Sequence, residues 1–236
     1  QAATIGIDFG CADNNPATTA CDSGDTPLQS GYEAWTGPPG GGSGLVYNET
    51  RSFNSDFGIS GTFDFNITSD GLFFRDYGPV DFNGLGNLLS DNMLRNSAGS
   101  IAFTFSGLTA GTYSMESFHH DSSAGGNAIV PFDIIVMDLL GTRTVASGID
   151  TSGGGIGSDA PTAITTALYT FMVGEAGTAS ITFNTTAAVP GSHMSINGFQ
   201  LSDVPPVPLP AGVWLLLSAL GGLGVAGWRR KRVETA

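Results

Sequence analysis

Ala211 to Trp228 is a run of eighteen residues without a charge, and Arg229-Arg230-Lys231-Arg232 follows it at once. No other stretch restricts this chain as strongly. As a helix rising 1.5 Å per residue, the run reaches roughly 27 Å, enough to cross the hydrocarbon core of a bilayer. Trp214 and Trp228 are residues of the kind that settle at membrane interfaces. The basic cluster places the C-terminal side (229–236) in the cytoplasm by the positive-inside rule. Residues 1–203 are then expected on the far side of the membrane, with 204–210 as a Pro-rich spacer.

The tail also carries a signature. Val207-Pro208-Leu209-Pro210-Ala211, a short Leu/Gly/Ala-rich apolar segment and a terminal Arg/Lys cluster together resemble the PEP-CTERM sorting signals of Gram-negative bacteria, in the variant named for V-P-L-P-A. The resemblance covers residues 207 to 232 and implies export, with recognition by an exosortase as a partner. It is an address shared by proteins of many functions, and an ordinary membrane anchor is the competing reading. Within the run, Ser218, Gly222 and Ala226 recur every four residues, a small-residue stripe that permits close approach of another membrane helix.

An exported location sets the reading of the rest. The chain begins at Gln1, consistent with removal of a signal peptide. Cys11 and Cys21 are the two cysteines, with nine residues between them. In an oxidising compartment they are expected to pair as a disulfide. Metal ligation by Cys and His is the competing reading, with no second cysteine pair or neighbouring histidine to support it. Residues before the apolar run hold 8 − 4 = 4 basic and 21 − 1 = 20 acidic side chains, a net charge of −16. Such a surface repels polyanions, so nucleic acid is excluded as a partner.

Short β-branched and aromatic runs, punctuated by Gly, Asn, Asp and Ser, dominate residues 1–203. Strands are predicted at 4–9, 57–67, 71–76, 100–105, 112–119, 130–138, 143–147, 168–173, 179–184 and 193–201. Residues 10–44 read as a long irregular stretch that ends in the Gly/Pro-rich loop 37–44. A short helix is predicted around 87–95. The fold class is all-β, an antiparallel sandwich or jelly roll, followed by the single C-terminal transmembrane helix.

Three segments reinforce that expectation: Phe105-Ser106-Gly107-Leu108-Thr109-Ala110-Gly111-Thr112-Tyr113, Ala179-Ser180-Ile181-Thr182-Phe183 and Ser195-Ile196-Asn197-Gly198-Phe199-Gln200-Leu201. Their order resembles the galactose-binding-like jelly rolls, over about residues 97 to 203. The resemblance implies a fold far more firmly than a ligand.

Three sets of residues are candidate sites. His119-His120-Asp121 closes a predicted strand before a Ser/Gly-rich loop. Imidazole with carboxylate suits a transition metal, yet neighbouring strand residues face opposite sides and a third ligand is required. His193 is the remaining histidine. The alternative is a polar strand end with one histidine packed on an aromatic ring. Arg75-Asp76, next to Phe73-Phe74, has the chemistry of a sugar site, where rings stack and charged groups take hydroxyls. The same pair equally serves as a structural ion pair. Asp13, Asp22 and Asp25 offer hard oxygen ligands, for which a structural calcium is the candidate ion, although no EF-hand pattern is present.

For catalysis the chain is poor: it lacks Gly-x-Ser-x-Gly, His-Glu-x-x-His, a phosphate-binding loop and a dinucleotide fingerprint. Glu33, Glu49, Glu116 and Glu175 form no evident glycosidase couple. The leading expectation is a membrane-anchored, exported, non-enzymatic binding or assembly protein of a Gram-negative envelope or matrix, with glycan or another surface protein as ligand. The alternative is an accessory subunit of an integral membrane complex, docked by its helix with the sandwich capping the periplasmic side. A hydrolase is the third reading.

Overall fold

The computed structural model describes residues 4–10, 30–37, 45–56, 58, 60–76, 88–89, 91–96, 98–121, 130–153, 164–185 and 193–204. The expected disulfide of Cys11 and Cys21, the acidic residues Asp13, Asp22 and Asp25, and everything from residue 205 onward lie outside them. Among the described residues, no helix is long and apolar enough to cross a membrane.

Two sheets pack face to face. The first contains β1 (Thr4–Gly10), β2 (Tyr32–Thr36), β7 (Gly111–Asp121), β10 (Ser152–Gly153), β11 (Thr165–Val173) and β14 (Gly198–Val204). Its order is β2-β1-β14-β7, and both β11 and β10 pair with β7, β11 along Gly111–His119 and β10 at His120 and Asp121. The second contains β3 (Leu45–Asn54), β4 (Thr62–Asp76), β5 (Asp91–Asn96), β6 (Gly99–Ser106), β8 (Phe132–Asp138), β9 (Gly141–Ile149), β12 (Ala179–Thr185) and β13 (His193–Ile196). Its order is β13-β5-β4-β6-β12-β8-β9, with β3 on the other side of β4. The pairings are antiparallel except β1–β2 and β7–β10.

Period-two alternation builds the core. Along β6, Ile101, Phe103 and Phe105 are buried while the residues between them are half-buried. Rings from the two sheets meet at the centre: Phe9 lies 5.3 Å from Phe103, and Phe65 lies 5.2 Å from Phe199. Phe171 stacks on Tyr113 in its own sheet and on Phe105 in the other. Tyr32, Leu88 and Phe118 form a second, smaller apolar cluster. Burial there pushes the Tyr32 hydroxyl up to about 12, against a bond from Gln200.

The register gives the sandwich two distinct ends. Strand β7 starts at Gly111 beside Val173, one residue beyond the Val204–Thr112 pair, and finishes at Asp121 beside Gly153. The end at Gly111 is where β14 delivers the chain at Val204. At about 3.3 Å per residue, the Asp121 end lies roughly 30 Å away.

Several elements differ from the sequence expectation. The segment 91–96 is a strand and not a helix, and among the described residues of the predicted helix only 88–89 have helical geometry. Pairing with both β4 and β13 buries Met93, Leu94 and Arg95 and overrides local preference. Strand β2 lies inside the stretch read as irregular, and β3 follows directly. The two strands expected at 57–67 and 71–76 are one, β4, after a tight turn in which Ser55 N–H donates to Gly61 O at 3.0 Å. Conversely, 193–201 is broken at Asn197, where the chain passes from the second sheet to the first.

Candidate functional site

Strand β7 brings His119, His120 and Asp121 to the end of the sandwich, and β13 delivers His193 and Ser195 opposite them. All five residues are buried, none more than 3% exposed. His119 points into the core, its ring 4.8 Å from Phe132 and 5.7 Å from Phe183. Its Nδ1 lies 2.9 Å from Ser195 O, a group that only accepts, so Nδ1 carries the proton. Nε2 then accepts from the Ser117 hydroxyl at 2.8 Å. Burial holds the imidazole down at about 4, only partly offset by the Ser195 carbonyl, so the ring is neutral.

His120 turns to the opposite face, as neighbouring strand residues must. The Ser152 hydroxyl donates to His119 O at 2.9 Å, so His120 Nδ1 donates to Ser152 Oγ at 3.0 Å. The His120 backbone N–H donates to Asn197 Oδ1 at 2.6 Å, and the Ser195 hydroxyl donates to His120 O at 2.8 Å. Asp121 Oδ2 pairs with His193 Nε2, and both groups are enclosed. The three sequence-predicted residues therefore share one end of the fold but face three sets of partners. Among the described residues, no group of three His, Cys, Asp or Glu side chains is placed to hold a metal ion.

Arg75 and Asp76 close β4 opposite Asn92 and Asp91, and their side chains lie outside the described residues. An arginine and a carboxylate also lie beside aromatic rings on β3. Tyr47, Glu49, Arg51 and Phe53 alternate along β3 and share one face. Arg51 lies with its guanidinium carbon 4.4 Å above the Trp35 ring of β2. Its Nε donates to Glu49 Oε1 at 2.5 Å, and the Tyr47 hydroxyl donates to Glu49 Oε2 at 2.5 Å. Trp35 Nε1 in turn donates to Tyr47 Oη at 3.1 Å.

Trp35 and Tyr47 are buried, whereas the side chains of Arg51 and Glu49 are 29% and 37% exposed. Partial burial pushes the Glu49 carboxyl upward, but bonds from Tyr47 and Arg51 outweigh it and hold the group below the usual carboxylate range. The Tyr47 phenol is raised by burial and by its bond to Glu49. The result is a fixed acceptor and a fixed fork of donors, side by side at the open β2–β3 edge of the sandwich. Sequence reasoning missed this set because its partners come from two strands in different sheets. The available signal was Tyr47, Glu49, Arg51 and Phe53 at spacing two.

No protein-family model and no curated protein matches the chain. Solved structures with similar folds include a family 35 carbohydrate binding module from Clostridium thermocellum, at 14% identity and a TM-score of 0.33, covering 66% of this chain and 95% of the module. Bacteroides uniformis beta-glucuronidase 2 matches at 12% identity and a TM-score of 0.43, over 85% of this chain but 18% of the enzyme. The plant receptor-like kinase FER matches at 13% identity and a TM-score of 0.43, over 86% of this chain and 42% of the receptor chain. Likenesses this distant describe an arrangement of strands and carry no ligand or activity to this chain.

Proposed function

We propose that this chain is an exported, non-enzymatic binding module of a Gram-negative cell envelope, held at the membrane by residues 211–228, with glycan as its ligand. Val207-Pro208-Leu209-Pro210-Ala211 is its sorting address in this reading. The observation that supports glycan recognition is the half-exposed Glu49–Arg51 pair, braced from below by Trp35 and Tyr47. A carboxylate and a guanidinium held in one orientation accept from and donate to vicinal hydroxyls without first losing side-chain freedom. With four cations against twenty acids before residue 205, the ligand is a neutral polysaccharide and not a polyanion.

The test is affinity electrophoresis of the full chain in mild detergent through gels containing neutral polysaccharides. Retardation by at least one of them, lost in Arg51→Ala and in Glu49→Gln, is the expected result. Wild-type mobility unchanged by every polysaccharide overturns the glycan reading, and so does retardation that survives both substitutions. Protease protection in sealed vesicles tests the topology separately: residues 1–203 on the cytoplasmic side overturn the exported reading.

A further inference from the structure

Five large apolar side chains are conspicuously exposed among the described residues, and three of them sit together. Met137, Leu139 and Leu140 are 57%, 62% and 65% exposed at the β8–β9 hairpin tip. The turn Asp138-Leu139-Leu140-Gly141 has aspartate at its first position and Gly141 at φ 92° at its last, with the Leu140 N–H donating to Asp138 Oδ1 at 2.9 Å. Its two central positions ordinarily carry polar residues. Here they carry leucines facing water.

The tip is held firmly. Arg143 donates to both oxygens of Asp138, at 2.5 and 2.9 Å, and the Met172 N–H donates to the same carboxylate at 2.7 Å. Leu139 N–H donates to Met172 O at 3.0 Å, which fastens the tip to the edge of the other sheet. The location is specific as well. Met172 pairs with Thr112, and Thr112 pairs with Val204, so tip and chain exit share one end of the fold. With neighbouring strands about 4.8 Å apart, Val204 lies roughly 10 Å from Met172.

We infer that the β8–β9 tip rests on the bilayer surface, inserting Leu139 and Leu140 at the level of the lipid headgroups. The inference depends on residues 211–228 crossing the membrane. The six residues from Pro205 to Pro210 extend at most about 20 Å, which keeps the Val204 end of the sandwich close to the lipid. An apolar turn with both leucine N–H groups already bonded suits the boundary between headgroups and acyl chains.

The experiment uses the full chain in phosphatidylcholine vesicles, with and without brominated acyl chains that quench nearby tryptophan. Leu140→Trp is compared with Val46→Trp, which is more exposed still (83%) but lies at the start of β3, away from the tip. Wild-type emission from Trp35, Trp214 and Trp228 is subtracted. The expected result is loss of most of the emission added at position 140 and none of that added at 46. Unquenched emission at 140 alongside quenched wild-type emission overturns the inference and leaves the anchor standing. Unquenched wild-type emission overturns the anchor, and the inference with it. Emission at 140 that shifts only when a second membrane protein is present assigns the tip to that protein and overturns the lipid contact.

Discussion

Asn197 accepts the backbone N–H of His120 through its side-chain oxygen at 2.6 Å, while its own N–H donates to Phe118 O at 2.9 Å. One residue thus fastens the crossing from β13 to β14 onto the end of β7. It is fully buried, so removing the amide strands a buried donor. Asn197→Ala is expected to cost about 1–3 kcal/mol, measured by urea unfolding. Asn197→Asp keeps the acceptor but buries a carboxylate and turns an oxygen toward Leu89 O, where Nδ2 sat at 3.5 Å, so at neutral pH it is expected to lose at least as much and to recover part of that loss as the pH falls; a loss that does not change with pH would show that no charge is buried there.

His119 makes stability depend on pH. Its folded value is about 4 and the unfolded one 6.5, so between these the unfolded chain binds a proton that the folded chain refuses. Stability from this group is complete above pH 6.5 and falls as pH drops toward 4, by about 3 kcal/mol in all. His119→Gln is expected to flatten that slope while lowering stability at pH 7. Urea melts of both proteins at pH 7 and pH 4.5 check it, and parallel slopes would remove His119 as the cause.

Arg51 separates folding from binding. A half-exposed cation over an indole contributes about 0.5–1 kcal/mol, so Arg51→Ala is expected to shift the urea midpoint only slightly while abolishing retention on polysaccharide. Arg51→Lys keeps the charge but not the fork, and retention should fall with it. Retention unchanged in the lysine variant would mean that charge alone suffices.

Gly71 has no room for a side chain, because the Arg95 guanidinium lies where its β-carbon would sit. That guanidinium is nearly buried, donating to Ala98 O at 2.8 Å and pairing with Asp70 at 2.9 Å. Gly71→Ala is expected to cost about 1–3 kcal/mol through displacement of Arg95. The double variant with Arg95→Ala should cost less than the sum of the singles, and strict additivity would locate the strain elsewhere.

Strand content was legible where alternation is clean. In β6 and β12, aromatic and aliphatic residues at spacing two announce one buried face, and β8 is apolar enough to be recognised outright. It was obscured where the inward face carries charge: Glu49 and Arg51 interrupt the apolar row of β3 between Tyr47 and Phe53. The 91–96 strand was hidden because Asp91, Asn92 and Arg95 read as a polar turn until pairing on both sides is known. For the site, the chain order His119-His120-Asp121 was visible. That Asp121 meets His193, seventy-two positions away, is tertiary information. Periodicity also cannot reveal a crossing between sheets, so the break at Asn197 looked like the middle of one strand.

The placement of β14 has a consequence for how the molecule is made. It is the final strand of the domain, yet it sits inside its sheet, between β1 and β7. Until the ribosome has supplied Val204, both of those neighbours present bare hydrogen-bonding margins to anything nearby. A chain stalled or clipped before Gly198 is therefore sticky rather than merely incomplete.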